Sequence, residues 1–299
     1  MKLDVYKVII SSLLVLSSVL MADTNKTQAG FRGVKYIPAP GLTQKTEVYK
    51  TIAKRELQMH FHFPKDWKAS DNRPVMIFFF GGGWKGGSTQ QFLIQADYFA
   101  SRGIVTARAD YRVKTKDGVS PNLCVEDARS AVRWLRANAA KLGIDTNKVI
   151  AAGGSAGGHL AFCTSIKQGL DASSDDKSIS CIPQVMVLYN PALFKSSFSK
   201  AQERVAQGQM SMERLKKMSP LDHVDAKTPP ALILFGTADK LKEGGDIYMK
   251  MANELGLRAE MYTADKQGYG FFNNQPWLDK TTEAVDKFLV SLAYIDAKK

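Results

Sequence analysis

The sequence predicts an α/β protein built on a mainly parallel sheet, and three observations carry this prediction. Short apolar runs recur along the chain. Segments with helical periodicity separate these runs, an order typical of parallel strands that are covered by helices on both faces. The 299 residues, 44% of them hydrophobic, suffice to bury the core of one large domain. The same composition excludes a disordered chain, a collagen-like repeat and a disulfide-dense mini-domain.

The N-terminus has the pattern of a secretory signal peptide, which we assign to residues 1–22. Lys2 and Lys7 precede an apolar stretch that contains four serines and ends at Ala22. The stretch is too short and too polar to cross a bilayer comfortably, so we expect cleavage after Ala22, with an uncleaved membrane anchor as the alternative. We therefore expect export to the periplasm or the extracellular space, without a stable membrane span after cleavage.

The remaining chain divides into a leader and one domain. Residues 23–45 are polar and contain Pro and Gly, which indicates a loose leader, and residues 46–299 form the domain. The alternating residues from Glu47 predict a strand pair with one wetted face. Further strands are predicted at 75–80, 104–110, 148–153, 184–190, 231–236 and 258–263. Helices are predicted at 89–102, 123–141, 156–168, 245–255 and 277–293. Residues 191–230 are long for a connection and predict a small helical insertion over the sheet edge.

The net charge of +12 favours acidic partners. Lys and Arg number 41, against 29 Asp and Glu, but these charges are scattered and the basic clusters do not exceed pairs. No basic stripe and no aromatic–basic module is present, so we expect no nucleic-acid partner. An acidic polysaccharide would be attracted by this charge, and salt would weaken such binding. The sequence carries no signal for an oligomeric state.

A nucleophile motif follows the strand predicted at 148–153. Residues 153–158 read GGSAGG, a Gly-x-Ser-x-Gly pentad between a strand and a helix. The small neighbours are needed because larger side chains would clash across a turn that lifts the hydroxyl of Ser155 above the sheet. The pattern predicts Ser155 as a nucleophile, and a flexible Gly/Ser loop is the alternative.

A glycine run, Gly81–Gly83, follows the strand predicted at 75–80. Glycines leave backbone N–H groups exposed, and such groups stabilise an oxyanion on an attacked carbonyl carbon. Together with the amide of Ala156, they would form the donor set for a tetrahedral intermediate on Ser155.

The same glycines fit a second pattern, the G-x-G-x-x-G of dinucleotide-binding folds, with Asp110 ending the next strand. Trp84 and Lys85, however, occupy the positions where a helix N-terminus would pass close to a pyrophosphate. Export also makes a nicotinamide cofactor less plausible, and no Gly-Lys-Ser/Thr follows to make a Walker-type site. We therefore expect no cofactor.

An acid stands at the end of a late strand. Asp239 closes the segment GTAD directly after the strand predicted at 231–236. This position suits a carboxylate that orients a histidine in the chain order Ser, Asp, His. An ordinary loop aspartate is the alternative.

Several segments together resemble the α/β-hydrolase superfamily: MIFFFGGGWKGGS, YRV, GIDTNKVIAAGGSAGGHLA, SPLDHV, LILFGTADK and QGYGFFN. Within it the chain is most similar to exported esterases and lipases of the acetylxylan-esterase or feruloyl-esterase type, from about residue 47 to the end. The resemblance implies a serine hydrolase-type carboxylic-ester hydrolase that deacylates carbohydrate or small esters. It also implies Ser155 as nucleophile, Asp239 as acid, and Gly82, Gly83 and Ala156 as the oxyanion hole.

The chain departs from this family at the base. The family motif before the final helix reads His-Gly-Phe, and here Tyr269 replaces the histidine. An imidazole, with a pKa of about 6.5, accepts the serine proton at neutral pH, whereas a phenol, with a pKa of about 10, is a poor base. Losing a triad member removes several orders of magnitude in rate. A second hypothesis is therefore a catalytically silent hydrolase-fold protein that binds a carbohydrate or ester ligand.

The four histidines provide one candidate for a displaced base. His60 and His62 alternate along an early strand, so we expect them to be solvated or packed, with metal binding as the alternative. His159 lies one helical turn after the serine, and we expect it to make a structural hydrogen bond. His223, in the loop before the strand that carries the acid, is the candidate for a displaced base. We expect no metal site.

The three cysteines, Cys124, Cys163 and Cys181, allow at most one internal disulfide. An exported setting permits such a bridge, but the pairing stays open, and three buried thiols are the alternative.

Overall fold

The structure, a computed structural model, describes residues 36–208 and 210–298. The predicted signal peptide and the first part of the predicted leader lie outside these residues. Eight strands form one sheet in the order β1-β2-β4-β3-β5-β6-β7-β8, with the pairs β1–β2 and β2–β4 antiparallel and the others parallel. The strands are β1 (Thr43–Ile52), β2 (Arg55–Phe63), β3 (Arg73–Phe79), β4 (Val105–Ala109), β5 (Ile144–Gly154), β6 (Val185–Tyr189), β7 (Ala231–Gly236) and β8 (Ala259–Ala264).

Helices connect the parallel strands. They are α1 (Leu93–Ser101), α2 (Lys114–Asp117), α3 (Pro121–Ala137), α4 (Ala139–Leu142), α5 (Ala156–Thr164), α6 (Ser199–Ala206), α7 (Met212–Met218), α8 (Lys242–Glu254) and α9 (Trp277–Ser291). Within the described part of the chain, none of these helices is long and apolar enough to cross a membrane.

The central strands are buried on both faces, as their continuous apolar runs predict. Alternate residues of β3 enter two separate cores, because successive side chains of a strand point to opposite sides. Val75, Ile77 and Phe79 pack in the core that also contains residues of α3, α5 and α8, whereas Met76 and Phe78 pack with α1 and α9. The prediction of an α/β fold with a mainly parallel, helix-covered sheet is confirmed.

The sheet begins earlier than the side-chain pattern indicates. β1 starts at Thr43, paired with Phe63 of β2, although its first residues are exposed and polar. The segment before β1, which we predict to be loose, is hydrogen-bonded to α1. The hydroxyl of Tyr36 and the N–H of Ala39 donate to the Asp97 carboxylate at 3.2 and 2.7 Å. Backbone pairing and a single buried carboxylate hold this segment, and neither leaves a periodic signal in the sequence.

The predicted insertion, residues 191–230, contains α6, α7 and a short 3₁₀ turn at Pro220–Asp222. Its helices are short and amphipathic. Ala201 of α6, and Leu215 and Met218 of α7, are buried. The insertion therefore folds back onto the domain at the edge of the sheet where β6 ends.

The three cysteine thiols are buried and unpaired. The thiol of Cys124 donates to the carbonyl of Arg112 at 3.1 Å, and the thiol of Cys181 lies 3.6 Å from the carbonyl oxygen of Thr164. Burial raises the pKa of Cys124 to about 12. Of the two alternatives left open by the sequence, the structure has the three buried thiols.

A buried ion-pair network fixes the loop after β4. Asp127 of α3 is fully buried and accepts from the guanidinium of Arg112 at 2.7 and 2.8 Å and from the ammonium of Lys50 at 2.8 Å. It also accepts from the backbone N–H of Arg112 at 3.1 Å. Because Arg112 belongs to the loop that continues toward the glycine run, this network sets the position of that loop.

We expect Asp127→Ala to lower the free energy of unfolding by about 3 kcal/mol, because it leaves two cations without their buried partner. Urea denaturation would measure the change, with Asp176→Ala as an exposed control that changes the charge equally. Equal stability of the two variants would contradict this account of the network.

Candidate active site

Ser155 lies in a strained turn between β5 and α5. Its φ is +54° and its ψ is −117°, a region that residues other than glycine rarely adopt. The turn is held by backbone hydrogen bonds. The N–H of Ser155 donates to the carbonyl of Tyr189 at 2.9 Å, and the carbonyl of Ser155 accepts from the N–H groups of His159 and Ala192 at 2.9 and 3.1 Å. The side chain is thus presented at the carboxyl edge of the sheet, as the pentad predicts.

The glycine after Ala156 is required by close backbone contact. A Cβ atom on Gly157 would overlap the carbonyl oxygens of Phe79 and Phe80 at the end of β3. The first turn of α5 therefore passes directly against the strand that leads into the glycine run. This approach brings the serine turn and the glycine run together.

The glycine run supplies unpaired N–H groups next to Ser155. Gly82 has a φ of +133°, and a Cβ atom there would overlap the carbonyl of Gly86. Within the described chain, the N–H groups of Gly82 and Gly83 have no hydrogen-bond partner, whereas the N–H of Gly81 donates to Gln91. Ala156 is the first residue of α5, so its N–H has no partner within the helix. Such free donors match the requirement of an oxyanion hole.

One cavity joins these elements. It has a volume of about 250 Å³, and among its lining residues are Ser155, Gly82, Tyr269 and Asn190. Gly83 and Asp239 do not line it, and none of its lining residues carries a charge. The structure therefore brings the predicted nucleophile, one predicted oxyanion donor and the residue at the base position to the same space.

Asn190 was not predicted as a site residue. It follows β6 directly, has a φ of +32°, and is only 1% exposed. Its side-chain Oδ1 is buried and has no hydrogen-bond partner within the described chain. A polar residue at the carboxyl end of a buried strand, beside Ser155 in a parallel sheet, was the signal available in the sequence.

A chain of side-chain hydrogen bonds connects the glycine run to the loop of Tyr269. The N–H of Gly81 donates to Oε1 of Gln91 at 2.6 Å, and Nε2 of Gln91 donates to Oδ1 of Asn273 at 3.3 Å. Nδ2 of Asn273 in turn donates to the carbonyl of Gly270 at 2.9 Å. Gln91 and Asn273 are 182 residues apart, so the sequence pattern gave no indication that they meet.

The outer side of the glycine run is held by the segment that follows β4. The hydroxyl of Tyr111 donates to the carbonyl of Phe80 at 2.6 Å, and the two rings stack at 4.1 Å. The N–H groups of Lys114 and Thr115 donate to the carbonyls of Trp84 and Lys85 at 3.0 and 2.9 Å. The YRV segment and the two residues after it thus hold the glycine run in position. The YRV residues do not line the cavity of Ser155.

Asp239 is buried, and only one of its two carboxylate oxygens has a hydrogen-bond partner in the described chain. It is 5% exposed, and its Oδ1 accepts from the N–H of Leu241 at 2.9 Å. Its Oδ2 is buried with no partner in the described chain. Burial raises the pKa of this carboxyl, and the Leu241 hydrogen bond opposes the shift only in part. The N–H of a catalytic imidazole would satisfy this oxygen.

Tyr269 does not supply that partner. Its side chain is 55% exposed and makes no hydrogen bond to Asp239 in the described structure. The acid and the residue at the base position are therefore not coupled, in contrast to the arrangement of a Ser–His–Asp triad.

The candidate for a displaced base, His223, lies elsewhere. Its Nε2 is 2.9 Å from the carbonyl oxygen of Lys216, and His223 does not line the cavity of Ser155. His159 is fully buried, and burial lowers its pKa to about 4. Its neutral ring donates from Nε2 to the carbonyl of Met218 at 2.8 Å and stacks on Phe194. It makes the structural hydrogen bond that we expected.

The remaining two histidines belong to the outer part of the sheet. His60 is 3.0 Å from the hydroxyl of Thr46, and burial lowers its pKa. His62 is fully buried between Asp97 and Arg108, at 3.3 Å from each. Over residues 36–208 and 210–298, no three acidic, histidine or cysteine side chains cluster as metal ligands would.

Comparison with known proteins gives relatives that are esterases. Residues 59–243 match the BD-FAE family. The chain is 24% identical to carboxylesterase NlhH of Mycobacterium tuberculosis over 253 residues, which cover 74% of each chain. It is 38% identical to a thermophilic esterase of Thermogutta terrifontis, with a TM-score of 0.80 over 87% of this chain and 95% of the other. A second structure, Thermogutta terrifontis esterase 2 phosphonylated by sarin, has 38% identity and a TM-score of 0.80 over 89% of this chain and 100% of the other.

We expect Gln91→Ala to slow the modification of Ser155 by a fluorophosphonate roughly tenfold. The variant loses the two hydrogen bonds by which Gln91 connects the glycine run to the loop of Tyr269. Mass spectrometry of the modified serine would give the rate. Gln90→Ala, at an exposed neighbouring position, is the matched control. Equal rates in both variants would show that the Gln91 contacts do not position the site.

We expect Asp239→Asn to raise the free energy of unfolding at pH 7 by about 1 kcal/mol, because it removes a buried carboxylate that lacks one partner. Since the pKa of Asp239 is raised in the folded state, the native chain retains this proton to higher pH than the unfolded chain does. The wild type therefore loses stability relative to the variant as pH rises from the ordinary aspartate pKa to the raised one. Urea denaturation between about pH 3 and pH 7 would measure this difference, and a constant difference would contradict the assignment.

Proposed function

Because this chain belongs to the BD-FAE family and is an α/β-hydrolase esterase, we propose that Ser155 is its nucleophile and that it hydrolyses small carboxylic esters. One observation carries the proposal. Ser155 sits in a strained strand-to-helix turn and lines the same cavity as Gly82, whose N–H is unpaired within the described chain. Donors that are preorganised in this way would stabilise the developing oxyanion, and such stabilisation is usually the largest single contribution to catalysis.

In this mechanism, Oγ of Ser155 attacks the ester carbonyl carbon. The carbonyl oxygen becomes an oxyanion that accepts from the N–H groups of Gly82 and Ala156, with Gly83 as the neighbouring donor. Collapse of the tetrahedral intermediate breaks the bond to the alcohol, which leaves with a proton. Water then attacks the acyl-serine, releases the carboxylic acid and restores Ser155.

This reaction requires a base that accepts the hydroxyl proton of Ser155. We assign the base role to Tyr269, because it lines the cavity with Ser155 and stands where the family has its histidine. A neutral phenol is a poor proton acceptor, so we expect the rate at neutral pH to be low. The alternative base, His223, would have to leave the carbonyl of Lys216 and cross to another part of the surface.

We further propose that the substrate is a carbohydrate ester. It rests on the resemblance to acetylxylan and feruloyl esterases, and an assay on acetylated xylan fragments would test it. The exported location is likewise proposed, from the N-terminal pattern alone.

A second candidate function is a catalytically silent protein that binds an ester or a carbohydrate in the cavity. The buried Oδ2 of Asp239, which has no partner in the described chain, favours it. A buried carboxylate without a base to orient, together with an exposed Tyr269, is the arrangement expected when the scaffold is kept without catalysis.

Hydrolysis of 4-nitrophenyl acetate separates the two candidates. We expect slow turnover by the wild type, loss of turnover in Ser155→Ala, and a rate increase of roughly 10²- to 10⁴-fold in Tyr269→His, because the imidazole would bridge Asp239 and Ser155. Tyr269→Phe is the matched control, since it removes only the hydroxyl. Turnover that persists in Ser155→Ala would contradict the nucleophile assignment.

A fluorophosphonate provides a second readout that needs no turnover. The relative from Thermogutta terrifontis has been phosphonylated by sarin, which supports this choice of reagent. Modification of Ser155 in the wild type supports the esterase. An unreactive wild type together with a reactive Tyr269→His variant supports the silent binding protein.

A further inference from the structure

A second cavity is larger than that of Ser155. Its volume is about 430 Å³. It is lined by residues that directly follow the elements of the site: Trp84 after the glycine run, Ala192 two residues after Asn190, and Lys240 after Asp239. Ala192 also donates its N–H to the carbonyl of Ser155 at 3.1 Å. The cavity is therefore connected to the turn of Ser155 through Ala192, and the insertion forms part of its wall.

The body of this cavity is apolar. Its wall contains Phe194, Phe198, Leu215 and Met218, all contributed by the insertion. Phe194 is held in place by its stacking on the buried ring of His159, with the two ring centres 5.5 Å apart. An apolar cavity of this size suits a hydrocarbon chain or a ring.

The lining of the cavity carries an excess of positive charge. Lys200, Arg204 and Lys240 line it, against one acid, Glu243. None of these four side chains forms an ion pair within residues 36–208 and 210–298. The cavity of Ser155, by comparison, has no charged lining residue. Of the two cavities, the larger one thus has the charged lining.

Two of the cations lie on one face of α6. Lys200 and Arg204 are four residues apart, where like charges repel, and Glu203, three residues after Lys200, is the one acid of this helix. A bound anion would remove the repulsion on α6.

We propose that this cavity binds the apolar part of an ester that ends in a carboxylate, with the carboxylate held by Lys200, Arg204 and Lys240. As a statement about substrate class, this inference rests on the proposed esterase function. The apolar wall excludes water from the chain of the ligand, and the three cations select an anionic end over a neutral one. The natural substrate is then an ester of an amphiphilic anion.

Binding of octanoate tests the cavity without any catalysis. We expect calorimetry at about 20 mM salt to show octanoate binding roughly tenfold tighter than octanamide, which has the same chain and no charge, and to show this preference falling as salt is raised. Use of the Ser155→Ala protein removes any contribution from turnover. Equal affinity for octanoate and octanamide would overturn the proposal.

Charge reversal locates the binding. We expect the double variant Lys200→Glu/Arg204→Glu to lose the preference for octanoate, and Lys240→Glu, on a different element, to weaken it. The matched control is Lys54→Glu/Lys177→Glu, which changes the net charge by the same amount at exposed positions that do not line the cavity. An equal loss in the control would mean that net charge alone attracts the anion, and would overturn the site.

Turnover then separates this inference from the proposed function. The substrates are the mono-4-nitrophenyl ester of adipic acid and 4-nitrophenyl hexanoate, which differ in the terminal carboxylate. We expect a roughly tenfold higher kcat/KM for the first, reversed in the double variant. If neither ester is hydrolysed while octanoate still binds in preference to octanamide, the esterase proposal fails and the anion site stands. If both esters are hydrolysed equally well, the esterase stands and the anion site does not.

Discussion

The close contact between the first turn of α5 and the end of β3 is the constraint on which the site depends. Gly157 permits it, because no Cβ atom fits against the carbonyls of Phe79 and Phe80. The contact places the strained turn of Ser155 beside the glycine run, and so it decides where an oxyanion would form. The hydrogen bonds of Gln91 and Tyr111 then fix the glycine run from its inner and outer sides. Without the contact at Gly157, these hydrogen bonds would hold a glycine run that does not lie beside Ser155.

The structure combines the strained turn of Ser155 with a buried carboxylate, Asp239, that has one oxygen without a partner in the described chain. A buried carboxylate with one unsatisfied oxygen is unfavourable for folding, and the raised pKa of Asp239 reflects this. The N–H of an imidazole would satisfy this oxygen, whereas the exposed phenol of Tyr269 does not reach it.

The two cavities differ in character. The smaller one, around Ser155, is uncharged and offers backbone donors, which suits a carbonyl group that gains negative charge only in the transition state. The larger one has an apolar wall and three cationic lining residues. The insertion forms much of that wall, so this segment sets the shape and the charge of the larger cavity.

The sequence by itself determined the order of strands and helices along the chain, the serine turn and the family. Each of these depends on local residue types: buried apolar runs, glycines where only glycine fits, and a serine between them. It also predicts Tyr269 at the base position. Only the tertiary structure decided that Oδ2 of Asp239 lacks a partner, that Asn190, Gln91 and Asn273 belong to the site, and that His223 lies away from it. These are contacts between distant parts of the chain, and no local pattern specifies which side chains meet when the sheet assembles.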